Sequence, residues 1–185
     1  LEIAQPNTVW DLGANTGIFS RLSSKLGIQT LAFDNDPGAV EKNYRQCVSE
    51  NERHLLPLFL DLANPSPGIG WHNHERSSIM DRASADMLFA LALLHHIAIT
   101  NNVPFEQIAQ FFADLGHWLV IEFIPKSDPQ VQQLLATRDD IFVDYSQNGF
   151  ERAFGECFSI CESEQLADSQ RILYLLERKP PARTI

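Results

Sequence analysis

No run in this sequence is long and apolar enough for a membrane span. The longest, "MLFALALL", is strand-sized, well short of the roughly 18 residues a span needs. A leader with a basic start and an apolar core is also missing, so no secretory signal is read. Cysteine is scarce: Cys47, Cys157 and Cys161 are odd in number and scattered, which suits reduced thiols in the cytoplasm rather than a disulfide framework. Basic residues are short as well. Against 24 Asp and Glu stand 14 Lys and Arg, a net charge of −10 with pI near 4.9. That balance repels phosphate backbones, so neither a direct nucleic-acid partner nor a membrane partner is expected. An initiator Met is absent too: the chain opens at Leu1, close to its first strand-like run, and an N-terminal segment of the full protein is expected to precede it.

What is present is a globular composition, 44% hydrophobic and 21% charged over 185 residues, enough for one ordinary domain with a substantial core. Strand-like and helix-like segments alternate. "TVWDLG" (8–13) and "QTLAFD" (29–34) read as buried strands. After the first, Phe19, Leu22 and Leu26 recur at one-face spacing, predicting a helix with that face buried and Gly27 closing it. After the second, Asp36 suits an N-cap and Pro37 the first helical position, with Val40, Tyr44 and Cys47 as the apolar face. "LLPLFLDL" (55–62) is a third strand, pushed toward an edge by Pro57. The stretch 63–85 begins as a Pro- and Gly-rich loop, and its second half suits a short helix. "DMLFALAL" (86–93), the helix 103–116, "HWLVIEFI" (117–124), two further short helices and a closing strand pair from Cys157 to Lys179 complete the pattern. It predicts an α/β fold: a doubly wound, mostly parallel sheet of seven strands with an antiparallel C-terminal hairpin strand and helices on both faces.

In such sheets ligands bind beyond the carboxyl ends of the strands. The first strand ends in Asp11-Leu-Gly13-Ala-Asn15-Thr-Gly17, the second in Asp34-Asn35-Asp36, the third in Asp61-Leu62, and the fourth in Leu91 through His95 and His96. Gly13 and Gly17 permit left-handed backbone and close approach to a ligand, and Asn15 tolerates the same region. "GANTGI" lacks the spacing of G-x-G-x-x-G, and no Gly-Lys-Ser/Thr follows. With Asp11 at the entrance, a diphosphate is repelled and a cationic amine is welcome.

"VWDLGANTGIFS", "LAFDNDPGAVEKN", "FLDLA" and "DMLFALALLHHI", in order and followed by the closing hairpin, resemble the sequential motifs of class I S-adenosylmethionine-dependent methyltransferases. "LALLHHIAI" and "VIEFIPKSDPQVQ" also resemble a bacterial nodulation-protein-like subgroup. The resemblance implies one methyltransferase-like domain over 1–179, with 180–185 a frayed tail, and S-adenosylmethionine as cofactor with S-adenosylhomocysteine as product. It implies that Gly13, Asn15 and Gly17 wrap the methionine moiety with Asp11 near its amino group, and that Asp34 accepts from the ribose hydroxyls. It further implies that Asp61 and the Leu62 amide read the adenine and that Leu91 completes the cofactor set. Asn35 stands where that family sets an apolar residue against the adenine. The acceptor implied is a small molecule, methylated by in-line displacement. The alternative is a methyltransferase-like cofactor-binding or scaffold module with no activity of its own.

His95 and His96 are the candidates for a general base, needed where the acceptor arrives protonated. A packed core histidine, or substrate contact without proton transfer, is the competing account. No metal site is expected: His72-x-His74 reads as a pair of exposed loop histidines, and Cys157 and Cys161 lack two further ligands. Trp71 covers a ligand or packs internally, and Phe111 and Phe112 read as helix-core residues.

Overall fold

Short β-branched and aromatic runs separated by helix signals build the fold, and a computed structural model describes residues 1–82 and 84–180. Seven strands form a sheet in the order β3-β2-β1-β4-β5-β7-β6. The backbone clusters into two compact units, Leu1–Leu91 and Ala92–Ile185. Of the tail read as frayed, residues 181–185 lie outside the described residues. No helix among the described residues is long and apolar enough to cross a membrane.

In the first unit, β1 (Thr8–Leu12), β2 (Gln29–Asp34), β3 (Leu55–Phe59) and β4 (Ala85–Ala90) carry α1 (Ser20–Ser24) and α2 (Pro37–Ser49). The pairs β1–β2, β1–β4 and β2–β3 are all parallel. Val9, Leu12, Met87, Leu88 and Ala90 are fully buried, as expected of parallel strands covered on both faces. β3 lies at the sheet edge, where Pro57 is tolerated. Asp36 caps α2 by accepting from the Gly38 amide at 2.8 Å, with Pro37 first in the helix. The region 71–81 holds two 3₁₀ turns, Trp71–Asn73 and Ile79–Asp81, rather than one helix.

Two helix faces differ from the periodicity. In α1 the inward residues are Ser20, Arg21, Ser23 and Ser24, while Phe19, Leu22 and Leu26 are exposed. In α2 the buried stripe is Ala39, Asn43 and Cys47, and Tyr44 is exposed. The reason is hydrogen bonding: Ser20, Arg21 and Ser23 each satisfy groups beneath the helix, while Asn43 lies against Gly17, where a Cβ would collide with its carboxamide.

In the second unit, α3 (Phe105–Leu115), β5 (Gly116–Phe123), α4 (Pro129–Leu135), α5 (Gln147–Cys157), β6 (Phe158–Gln165) and β7 (Ile172–Arg178) follow a π-helical turn, His96–Thr100. β7 is antiparallel to both β5 and β6, and a bulge at Ile160/Glu162 shifts the register of the hairpin. The core is aromatic: Phe112, Phe123, Phe150, Phe154, Phe158 and Tyr174 are buried. Phe150 and Phe154 lie 4.4 Å apart by ring centroid.

Candidate functional site

β1 delivers Asp11 to the start of a turn in which Gly13 (φ 77°), Asn15 (φ 49°) and Gly17 (φ 79°) are all left-handed. Two of these are glycine and the third is one of the few side chains that tolerates the region. β2 ends beside this turn. Its Phe33 carbonyl accepts from the Gly13 and Ala14 amides, both at 2.9 Å, and Asp34 Oδ2 accepts from the Asn15 amide at 2.7 Å. The other Asp34 oxygen accepts from the Asp36 amide at 2.8 Å. A carboxylate has about four lone-pair sites, so each oxygen retains one for a ligand hydroxyl.

Asp11 is buried, and its Oδ2 accepts from Ser20 Oγ at 2.6 Å. Burial pushes its pKa up to about 6; the Ser20 hydrogen bond opposes the shift and nearby Asp34 adds to it. No cation among the described residues hydrogen-bonds or ion-pairs with it. An anionic carboxyl so placed is an unmatched charge that an amino group would match.

α1 turns its polar side to the same turn. Arg21 Nη1 donates to the carbonyls of Thr16 (2.9 Å) and Gly17 (3.0 Å). Its Nε and Nη2 grip Glu52 at 3.0 and 2.8 Å. Below, Ser23 Oγ donates to the Ser20 carbonyl and shares a 2.9 Å hydrogen bond with Thr30 Oγ1.

Asp61 sits two residues beyond β3, which stops at Phe59 instead of running to residue 62. Its Oδ1 accepts from the Ala63 amide at 2.9 Å, and Leu62 beside it is half-buried. Asn35 is exposed between the two β2-end carboxylates, and Leu91 is half-buried just past β4. Trp71 is 84% exposed, so it does not pack internally. His72 and His74 are exposed and their rings stack at 5.2 Å.

The second unit holds His95 and His96. β4 ends at Ala90 rather than 93, so the two histidines open a helical turn instead of ending a strand. The break comes at Ala92, left-handed at φ 49°, whose amide donates to Glu122 Oε2 at 2.8 Å. His95 is buried, and neither ring nitrogen has a hydrogen-bond partner among the described residues. Burial first, then the charges of His96 and Arg171, lower its pKa to about 4, so it is neutral at physiological pH. His96 is exposed, stacked against it at 4.2 Å, with its pKa lowered by partial burial. Arg171 binds Asp128 through Nε at 2.7 Å and reaches Glu122 at 3.3 Å.

Sequence reasoning missed Ser20, Arg21 and Glu52 in the first unit and Glu122, Asp128 and Arg171 in the second. For α1 the signal was there: Ser20, Arg21, Ser23 and Ser24 occupy one helical face, opposite the apolar one that drew the assignment. For Glu122, Asp128 and Arg171 no local signal exists, because their partners lie 30 to 49 residues away.

No family model matches the chain. It is 38% identical over 175 residues to nodulation protein NoeA of Rhizobium meliloti (strain 1021), which covers 94% of this chain and 37% of that protein. The chain thus spans little more than a third of that relative's length. Among solved structures, protein PH0226 of Pyrococcus horikoshii OT3 superposes with a TM-score of 0.64 at 14% identity, covering 93% of this chain and 82% of the other. Magnesium protoporphyrin IX methyltransferase (ChlM) of Synechocystis PCC 6803, with bound SAH, superposes at 0.62 and 16% identity, covering 92% and 74%. The fold is therefore the Rossmann-like fold shared with S-adenosylmethionine-dependent methyltransferases.

Proposed function

We propose that this chain is the catalytic domain of an S-adenosylmethionine-dependent methyltransferase acting on a small-molecule acceptor. The observation that carries the reading is the tie between Asp34 and Asn15: the carboxylate at the end of β2 holds the left-handed turn after β1 while keeping lone pairs for two hydroxyls. The donor set fits the cofactor. Asp34 would take the ribose, the Gly13–Gly17 turn the methionine chain, Asp11 its ammonium, and Asp61, Leu62, Asn35 and Leu91 the adenine end. The fold shared with ChlM, whose structure holds SAH, supports the same reading.

When bound, the sulfonium supplies an activated methyl and a good leaving group. The chain's part is then mainly positioning, which is worth roughly 7–11 kcal/mol when reacting groups are held in line. Where the acceptor arrives protonated, we assign proton acceptance to His96, which is exposed; His95, neutral and buried, supports it by stacking. The three free thiols suit a reducing compartment, and the reading places the chain in the cytoplasm.

Calorimetric titration of S-adenosylhomocysteine and, separately, NAD tests this. The expected result is saturable binding of the first and none of the second. Asp34→Ala should weaken S-adenosylhomocysteine at least about 100-fold, since each of two hydroxyl hydrogen bonds to a charged group is worth about 1.5–3 kcal/mol. No binding by the unaltered chain sinks the proposal; full binding by Asp34→Ala sinks the ribose assignment. Release of S-adenosylhomocysteine on incubation with S-adenosylmethionine and a metabolite panel separates an enzyme from a binding module.

A further inference from the structure

All five N–H donors of Arg21 are used: two on the Thr16 and Gly17 carbonyls, two on Glu52 and one on Cys47 Sγ at 3.7 Å. The Arg21 and Glu52 side chains are nearly buried. Such a pair is expensive to desolvate and is weak evidence of a stability role. What it does locally is specific. Asn15 is a non-glycine residue in the left-handed region, and Gly13 and Gly17 on either side lose more conformational freedom on ordering than any other residue, so the turn must be held by its surroundings. Asp34 holds the amide of Asn15, and Arg21 holds the carbonyls of the next two residues. Glu52, whose amide is bonded to the Cys47 carbonyl at the end of α2, fixes the plane of the guanidinium.

We propose that the Arg21–Glu52 pair is a clamp that preorganises the Gly13–Gly17 turn, and so sets affinity for the amino-acid end of the cofactor and not for its nucleoside end. The inference rests on the cofactor reading above. A guanidinium fork meets two carbonyls on one side and a carboxylate on the other; an ammonium has the charge but not the fork. Arg21 is thus a positioning residue. Without it the turn samples other paths, and the cost of ordering it is added to binding.

The test compares two probes, S-adenosylhomocysteine and adenosine, by calorimetry. The variant is Arg21→Met with Glu52→Gln, which keeps the buried stem and leaves no unpaired buried charge. Affinity for S-adenosylhomocysteine should fall at least about tenfold while that for adenosine changes less than about twofold, the cost falling on one end of the ligand. Arg21→Lys should give an intermediate, equally selective loss. Equal weakening of both probes would reduce the pair to a structural role and overturn the proposal, as would no weakening of either. If the double variant does not fold, Arg21→Lys, which keeps a charge beside Glu52, carries the same comparison, with a selective loss of about threefold expected. Failure of the unaltered chain to bind S-adenosylhomocysteine is a separate result and defeats the cofactor reading itself.

Discussion

Asp11 and His95 are both buried ionisable residues, and burial moves them in opposite directions. For Asp11 burial raises the folded pKa to about 6 from an ordinary value of 3.8. Between those values the folded state binds more protons than the unfolded one, so stability falls as pH rises through the window. For His95, lowered from 6.5 to about 4, stability is complete above the upper value and is lost as pH falls toward the lower one. The two slopes oppose each other between about pH 4 and 6, and Asp11→Asn should uncover the acid loss due to His95. A sharper prediction concerns binding. An ammonium docked on Asp11 stabilises its charged form, so S-adenosylhomocysteine binding at pH 6 should release about half a proton per chain. Calorimetry in two buffers of different ionisation enthalpy measures this release, and Asp11→Asn should abolish it. A release unchanged in that variant would place the amino group elsewhere.

At the scale of the element, α1 shows where periodicity misleads. Phe19, Leu22 and Leu26 carry the spacing of a buried stripe, yet the opposite face is the one turned inward. Hydrophobic spacing ranks faces by transfer energy alone, whereas here Asp11, two turn carbonyls and Thr30 all require donors or partners beneath the helix. Unmet buried polar groups cost about 1–3 kcal/mol each, so several together outweigh three exposed apolar side chains. Leu22→Gln and Leu26→Gln should therefore change stability by less than about 0.5 kcal/mol. Ser20→Ala should cost about 1–3 kcal/mol by removing the Asp11 partner. Urea denaturation distinguishes the two cases, and a large loss at Leu22 would restore the apolar face as the inner one. The same logic explains what was readable. Positions needing left-handed backbone, Gly13, Asn15 and Gly17, and the Asp36–Pro37 cap were legible because their chemistry is local. The early end of β4 was not, because Ala92 is held by a carboxylate thirty residues on.

For the whole molecule the informative feature is the order β5-β7-β6, which places the last strand in sequence inside the sheet. The closing hairpin was legible from two strand-like runs joined by a polar turn. Its insertion beside β5 follows from burial: Tyr174 and Leu176 are almost wholly enclosed, whereas β6 is exposed along nearly all its length beyond Phe158. An edge strand tolerates such polarity and an inner one does not. β7 pairs Leu119, Ile121 and Phe123 of β5 with Leu176, Tyr174 and Ile172. The Tyr174 hydroxyl donates to Glu151 of α5 at 2.6 Å. Removal of β7 therefore strips β5 of an antiparallel partner, leaves β6 unpaired and opens the aromatic core around Phe150. Losing the buried Tyr174 and Leu176 side chains at about 2–5 kcal/mol each, together with the β5–β7 hydrogen bonds, is comparable to the whole stability of an ordinary domain, about 5–15 kcal/mol. A chain ending at Gln165 should accordingly lose amide-exchange protection across Gly116–Phe123 and Gln147–Cys157, read by mass spectrometry against the full chain. Native protection persisting in those two segments would mean that the second unit holds its core without its last strand.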